Sequence, residues 1–523
     1  MSTTSSDSPG RRDLLILGLA GLLVYGIAGG LIRSPGYMDA EYYLVTGGEL
    51  AAGHGFQEPL VWNYLDDPQG VPHPSHTYWM PVASLAAGLG QLVFGGGFRA
   101  GQIPFLLAAA LFPLLCFIIA WSTTRERHKA RLAGILGLLP GLFFPFMLTT
   151  DTFAIYALVG GGGLVAVSSF GSGGRWPVAV GAGALVGLAH LTRADGVLLW
   201  IPMLAAIAAR EKRRTAWAAG ALLGYGLVLT PWIVRNMMDT GSLWPQGTGR
   251  ALWLLGYDET FSYPANLLTA PRWWSGGVLR LAVDRVSAAA TNLRSLLLVN
   301  GLVFMAPLMI AGVWRRRAAP LVRSMTVYLL ALFAAMSFVF PYAGARGGFF
   351  HSSAAIQPIL LALVPDGLEA FIAWVKKSRP WDSARAYGLF SAALMVLSLT
   401  FTAWATWSRL TGDGRNAGWE RNVRTYTQMT AALPAPHGLV AVNNPPGLFA
   451  ASGLSGVVIP NGTPDTLRLV VERYEVSWVL LEANHPKGLD QLFASAAGND
   501  FLESPLRLAD ADGHPMYLFR VKP

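Results

Sequence analysis

Cysteine is almost missing from this 523-residue chain, which holds only Cys116. That residue lies in an apolar run, so neither an intramolecular disulfide framework nor a cysteine-based zinc cluster can form. Cysteine usage therefore says nothing about the redox compartment. Charge is scarce as well: Asp, Glu, Lys and Arg make up 13% of the residues, about half the share of an ordinary soluble protein. This excludes a soluble globular enzyme. The chain has no fixed-period repeat. It also lacks a nucleotide-binding glycine loop, because the Gly95 to Gly97 and Gly160 to Gly163 runs have no strand-loop-helix setting; they read as places of close helix packing or bending.

What is abundant is apolar. Hydrophobic residues reach 53% and the mean hydropathy is +0.42, with the long apolar runs confined to positions before about 410. The net charge of +9 sits in short clusters where apolar runs end: Arg11 with Arg12, Arg125 to Arg131, Arg210 to Arg214, Arg315 to Arg317, and Lys376 to Arg379. That placement is a topology signal and not a nucleic-acid footprint, so no nucleic-acid partner is expected. One arrangement puts every cluster in the cytoplasm, with spans near 13–32, 101–121, 131–149, 152–169, 177–193, 196–209, 215–234, 297–314, 321–340, 353–374 and 385–408. This makes about eleven crossings, with the N-terminus inside and the tail outside. The stretch from Met80 to Phe98 must then not cross, and it reads as an interfacial helix pair on the outer leaflet. The first run follows charged residues as a secretory signal would, but its length of about 20 and the spans behind it favour an uncleaved anchor.

The expected organisation is an all-α polytopic membrane domain over 1–409 and a small extracytoplasmic α/β domain over 410–523. The tail alternates short apolar runs (Gly438 to Val442, Ser477 to Glu482, Met516 to Val521) with Pro, Gly and Asn, and has a helix-like stretch between Asp465 and Tyr474. Cytoplasmic loops are short and basic. Three outer segments are long or chemically dense: Arg33 to Tyr78, Arg235 to Arg294, and Pro341 to Ser352. The work is expected on that face.

The densest polar group is Tyr37-Met38-Asp39-Ala40-Glu41-Tyr42-Tyr43, just after the first span. A carboxylate there would be partly desolvated and suited to general base work; a water-facing loop with an aromatic belt has the same composition. Farther on, Asp66, Asp67, His73 and His76 could bind a divalent metal such as Mg or Mn, or hydrogen-bond a sugar or phosphate, although the intervening prolines break any helix that would align the histidines. Asp151, between two spans, reads either as a helix N-cap or as a carboxylate facing the same cavity as Asp39. Asp39, Asp151 and His73 form the candidate metal set. Arg193 and Arg346 break the positive-inside trend, and an arginine at the outer surface suits a phosphate. Arg193 has Asp195 as a local ion-pair alternative; Arg346, near His351, has no acidic neighbour in sequence.

These pieces, in this order, resemble the GT-C superfamily of polytopic glycosyltransferases, in the group with protein O-mannosyltransferases and aminoarabinose transferases. The matching features are Asp39-Ala40-Glu41-Tyr42-Tyr43, the Pro-containing stretch His73 to Ser84 with Arg99 opening the next helix, Leu191-Thr192-Arg193-Ala194-Asp195-Gly196, and Pro231-Trp232-Ile233-Val234-Arg235-Asn236 followed by Gly241-Ser242. The resemblance covers about residues 10 to 410. It implies a polyprenyl-phosphate-linked sugar as donor, basic residues on its phosphate, and a first-loop carboxylate as base, with inversion at the anomeric carbon. Carried over, Asp39, Glu41 and Asp151 become catalytic candidates and Arg346, Arg193 and Arg235 phosphate-binding ones. Tyr42, Tyr43, His73, His76 and His351 become substrate contacts. The departure is Ala40, which separates two acids that many relatives have adjacent. The acceptor would be an extracytoplasmic glycan, lipid or protein. Trp244, Trp253, Tyr257, Trp273 and Trp274 offer faces for sugar stacking or an interfacial belt.

Competing classes are a lipid-linked sugar flippase or other transporter, a membrane glycan polymerase or ligase, and a membrane scaffold displaying the tail. A transporter places ionisable residues near mid-span. Here the span interiors are nearly free of them, with His190 close to an end.

Overall fold

A computed structural model describes residues 10–171, 176–210, 212–244, 246–411, 418–434 and 437–523. Of the sequence features above, Glu211 in the basic cluster at 210–214 and residues 412–417 near the expected domain boundary lie outside the described residues. The chain is mostly helical. Helix α1 (Arg11–Leu31) has 21 residues, and at 1.5 Å per residue it is about as long as the hydrocarbon core is thick. Its leucines Leu15, Leu19, Leu22 and Leu23 are exposed, while Tyr25 is fully buried and donates its hydroxyl to the Gly137 carbonyl at 3.0 Å. The glycines on the inner face permit this packing: a Cβ at Gly21 would stand 2.5 Å from the Ala110 carbonyl oxygen.

Six described helices are long and apolar enough to cross a membrane: Arg11–Leu31, Phe98–Thr124, Arg214–Thr240, Pro320–Val339, Gln357–Val375 and Ser383–Thr411. A seventh arises if Arg127–Leu138 and Gly141–Leu148, bent by 43°, count as one span. The protein is therefore a multi-pass membrane protein; six or seven of its described helices meet this length and apolarity, against an expectation of about eleven crossings. The stretches expected at 152–169, 177–193 and 196–209 are the shorter apolar helices Phe153–Ser168, Trp176–Thr192 and Ala194–Ala208. The stretch expected at 297–314 is interrupted, because Leu302 and Val303 have φ of 47° and 59°, a left-handed conformation that ends a right-handed helix. Residues 80–98 contain one helix, α3 (Val82–Phe94), where a pair was expected; its 13 residues reach about 20 Å, short of a crossing. The acidic segment expected as a loop is also helical: Asp39 and Glu41 open α2 (Met38–Ala51), which packs on α3. A Cβ at Gly47 or Gly88 would lie 2.8 Å from the backbone of the other helix. Next comes α4 (Phe98–Thr124), which keeps Pro104 and Pro113 inside it.

The contacts divide the chain into two compact units. The first contains Met1–Leu31, Pro104–Trp232 and Val286–Thr406. Within it Asp13 pairs with Arg127 and Arg131, each at 3.0 Å. Asp366, with no exposed surface, pairs with Lys129 at 3.1 Å and Arg316 at 2.6 Å. The basic clusters at 125–131 and 315–317 thus meet through Asp366.

The second unit contains Ile32–Ile103, Ile233–Arg285 and Trp407–Pro523. It joins the tail to two of the long segments singled out as chemically dense. Strands β1 (Gln57–Glu58) and β2 (His73–Pro74) pair antiparallel. The tail carries a five-stranded sheet of β3 (Leu439–Val442), β4 (Gly456–Val458), β5 (Val476–Leu481), β6 (Leu506–Ala509) and β7 (Pro515–Arg520), in the order β4-β3-β5-β7-β6. The β4, β3 and β5 pairings are parallel; those of β7 with β5 and β6 are antiparallel. Parallel strands need crossovers, supplied by helices Pro445–Ser452 and Pro464–Tyr474. Each begins with Pro at its first turn behind a capping residue, Asn444 or Thr463. Val61 bridges the edge strand β4 in parallel, donating to Gly456 O at 2.9 Å and accepting from the Val458 amide at 2.7 Å. Val61 and Tyr64 are buried in the same apolar core as Val457, Leu467, Val479 and Phe519.

Candidate functional site

In the second unit, the two acids at the start of α2 have different surroundings. Glu41 has no exposed surface. Its carboxylate accepts from the Asn444 side-chain amide at 2.7 Å and from that of Asn422 at 3.0 and 3.2 Å. Burial pushes its pKa up to about 7; the two amides oppose that shift and the charge of Asp39 adds to it. Asp39, in the same first turn, is only partly buried, and the partial positive charge of a helix N-terminus favours a carboxylate there.

The histidines of the first outer segment are drawn inward. His73 Nε2 lies 2.9 Å from Glu58 Oε1 and 3.0 Å from the Leu60 carbonyl. Burial works against its charge, but the adjacent Glu58 carboxylate outweighs this and raises its pKa. Among the described residues His73 belongs to no group of three metal-capable side chains, and with this nitrogen committed to Glu58 it does not fit the expected metal set. His76 is fully buried, with Nδ1 2.7 Å from Ser75 Oγ and Nε2 2.8 Å from Ser84 Oγ. Hydroxyls on both nitrogens suit a neutral ring, and burial, helped by the Arg235 charge, lowers its pKa to about 3. Tyr42 and Tyr43 are nearly fully buried. The Tyr42 hydroxyl accepts from the His76 amide at 2.8 Å, and its ring lies 4.8 Å from that of Trp79, which stacks on Trp62 at 3.9 Å. Arg235 pairs with Asp239 at 2.8 Å and donates to the Phe56 carbonyl at 2.9 Å. Of the aromatics at 244–274, Trp244 and Trp274 are exposed, while Trp253 and Trp273 meet edge to face at 6.0 Å.

In the first unit, a polar cluster forms on the irregular segment before helix Gln357–Val375. His351 Nε2 lies 3.0 Å from Asp151 Oδ2, and its ring lies 4.3 Å from that of Phe153. Asp151 is almost fully buried. It is not the N-cap of the following helix: Thr152 holds that position, and Asp151 Oδ1 accepts from the Thr152 amide at 2.5 Å and from its hydroxyl at 3.1 Å. Arg193 makes the local ion pair with Asp195, at 3.1 Å, and also donates to Ser352 Oγ at 3.1 Å. The Ser352 hydroxyl in turn bonds Asp195 and the Gly348 carbonyl. Arg346 sits on the same segment and is the exposed arginine of the three phosphate candidates.

Sequence reasoning missed Glu58, Asn422, Asn444 and Ser352. Asn422 and Asn444 act on Glu41 from 381 and 403 residues away, beyond any local pattern. Asn444 did leave one trace, since Asn followed by Pro445 is a helix-start signature.

No family model matches the chain, and no curated protein matches it in sequence. Its fold does match solved structures of ArnT from Cupriavidus metallidurans. The structure of that protein bound to undecaprenyl phosphate superposes with a TM-score of 0.58 over 96% of this chain and 97% of that one, at 11% identity. Its apo state gives 0.57 over the same shares at 12% identity. The resemblance to GT-C enzymes of the aminoarabinose transferase type, first read from short motifs, thus extends as a fold over nearly the whole chain.

Proposed function

We propose that this chain is an integral membrane glycosyltransferase that moves a sugar from a polyprenyl-phosphate-linked donor to an acceptor on the extracytoplasmic face, with inversion. The observation that carries this is the likeness, over 96% of the chain, to a fold solved with undecaprenyl phosphate bound. In this reading the N-terminus is cytoplasmic, the tail lies outside, and shorter or interrupted apolar segments also cross, for about eleven crossings.

A lipid-phosphate sugar needs no further activation, because the phosphate is the leaving group. The acceptor hydroxyl attacks the anomeric carbon, its proton passes to a carboxylate, and the bond from that carbon to the phosphate oxygen breaks with its electron pair leaving on the phosphate. Asp39 is assigned the proton, since it is more accessible than Glu41, whose oxygens are taken by two asparagine amides. Arg346 is assigned the phosphate, since it is the exposed one of the three candidate arginines.

The test is transfer of labelled sugar from a panel of polyprenyl-phosphate sugars by purified protein, comparing wild type with Asp39→Asn, with and without EDTA. Transfer that vanishes in Asp39→Asn while donor binding persists supports the assignment, and the EDTA arm reads metal dependence. Transfer unaffected by the substitution moves the base to another carboxylate. Donor binding without transfer from any donor overturns the transferase reading in favour of transport.

A further inference from the structure

The tail grips the start of α2 at several points, all within the second unit. Ser34 donates its hydroxyl to the Trp419 carbonyl at 2.8 Å, and the Tyr37 ring lies 5.5 Å from that of Trp419. Between them Gly36, at φ 99°, lies so close to the Trp419 side chain that a Cβ would come within 2.5 Å of it. One turn into the helix, Glu41 takes the amides of Asn422 and Asn444. Asn444 also works in the other direction, because its Oδ1 accepts from the Gly447 amide at 3.1 Å and caps helix Pro445–Ser452. That bond fixes which end of the amide faces Glu41. Gly447 leaves the room, since a Cβ there would stand 2.6 Å from Asn444 Nδ2 and 2.9 Å from Glu41 Oε2. Hydrogen bonds to both carboxylate oxygens, beside a ring packed on a glycine, hold a helix start more tightly than its sequence can. α2 itself has no side-chain cap.

We infer that Asn444 and Asn422, with Trp419, are positioning residues: the tail works as a clamp on Glu41 and on residues 34–37 that sets where α2 presents Asp39. The catalytic role of Asp39 belongs to the reading proposed above, and the clamp refines that reading. Glu41 is then a structural anchor whose place next to the reactive carboxylate is its function.

Asn444→Asp tests this selectively. Asp caps a helix as well as Asn does, so the cap on Pro445–Ser452 survives, while the donor aimed at Glu41 becomes an acceptor. Two readouts are made on the full-length protein in detergent: hydrogen exchange over residues 34–45, and kcat with KM for a polyprenyl-phosphate sugar donor. The expected result for Asn444→Asp is faster exchange over 34–45 and a kcat lower by on the order of 10²-fold, with donor KM nearly unchanged. The double variant Glu41→Gln/Asn444→Asp, in which the new amide donates to the new carboxylate, restores both.

Unchanged exchange in Asn444→Asp overturns the clamp. So does a double variant with restored exchange but no transfer, because Glu41 would then be acting chemically. If wild type transfers from no donor, the functional reading fails, while exchange in the three proteins still decides whether the clamp exists.

Discussion

His351 meets Asp151, 200 residues away in the chain, with Nε2 3.0 Å from the carboxylate while Nδ1 lies 2.9 Å from the Gly347 carbonyl. A ring nitrogen facing a carbonyl oxygen donates to it, so Nε2 must either donate as well or accept from a protonated acid. Either way the pair is neutral overall and shares one proton.

Removing the imidazole would take the ring from Oδ2 of a carboxylate that is 1% exposed, leaving its Thr152 bonds in place. His351→Ala is expected to destabilise the protein by about 3 to 5 kcal/mol, as for one partner lost from a buried pair. Asp151→Asn, whose amide can donate to a neutral ring, should cost less, about 1 to 2 kcal/mol. Thermal unfolding in detergent checks the order; equal losses would show that the pair's charge is irrelevant to its role in the fold.

Asp39→Asn keeps the shape of the helix start and removes the proton acceptor. Transfer should fall by about 10² to 10⁴-fold with donor binding preserved. Single-turnover kinetics alongside a donor-binding titration separate the two effects.

The arginines should part company. Arg346→Ala removes an exposed side chain and is expected to raise donor KM while changing stability by no more than about 0.5 kcal/mol. Arg193→Ala leaves Asp195 and Ser352 without their shared donor and should lower the unfolding temperature even without substrate. Equal effects of both substitutions on donor affinity, with stability intact, would return Arg193 to direct phosphate binding.

His76 gives a pH signature. Its pKa lies at about 3 in the fold against an ordinary 6.5, so between those values the unfolded chain binds the extra proton. Stability contributed by the neutral ring is therefore present above about 6.5 and is lost as pH falls, by at most about 1.4 kcal/mol per unit. Unfolding of wild type and His76→Gln from pH 7.5 down to 5 should converge on acidification, the variant starting lower and falling less steeply. Parallel curves would mean that His76 gains a proton in the fold as easily as in water.

The parts of the fold legible in the sequence were those with local causes. Apolar runs marked Arg11–Leu31, Phe98–Thr124 and Ser383–Thr411, and short alternating runs marked β3, β5 and β7 to within a residue or two. Two local conformations were not legible. The left-handed pair Leu302 and Val303 breaks an apolar run with no glycine at either residue. The start of α2 is the other, because what orders its first turn comes from the tail. In the candidate site, the Arg193 and Asp195 ion pair was visible from spacing two apart, whereas Ser352 as their common partner was not. His73 and His76 looked like ligands because nothing in their own segment shows that Glu58, Ser75 and Ser84 would satisfy them inside a packed interior.

The bridge from Val61 to the edge of the tail sheet bears on how the protein can be rebuilt. A fragment beginning near 410 would present β4 with its outer backbone groups unpaired and a core lacking Val61 and Tyr64, a template for sticking to other chains. Chimeras that exchange only the tail between homologues should misassemble, whereas exchanging residues 32–103 together with the tail keeps both sides of that seam from one parent. The cut points for modular engineering therefore lie at the ends of spans and not at the change in composition.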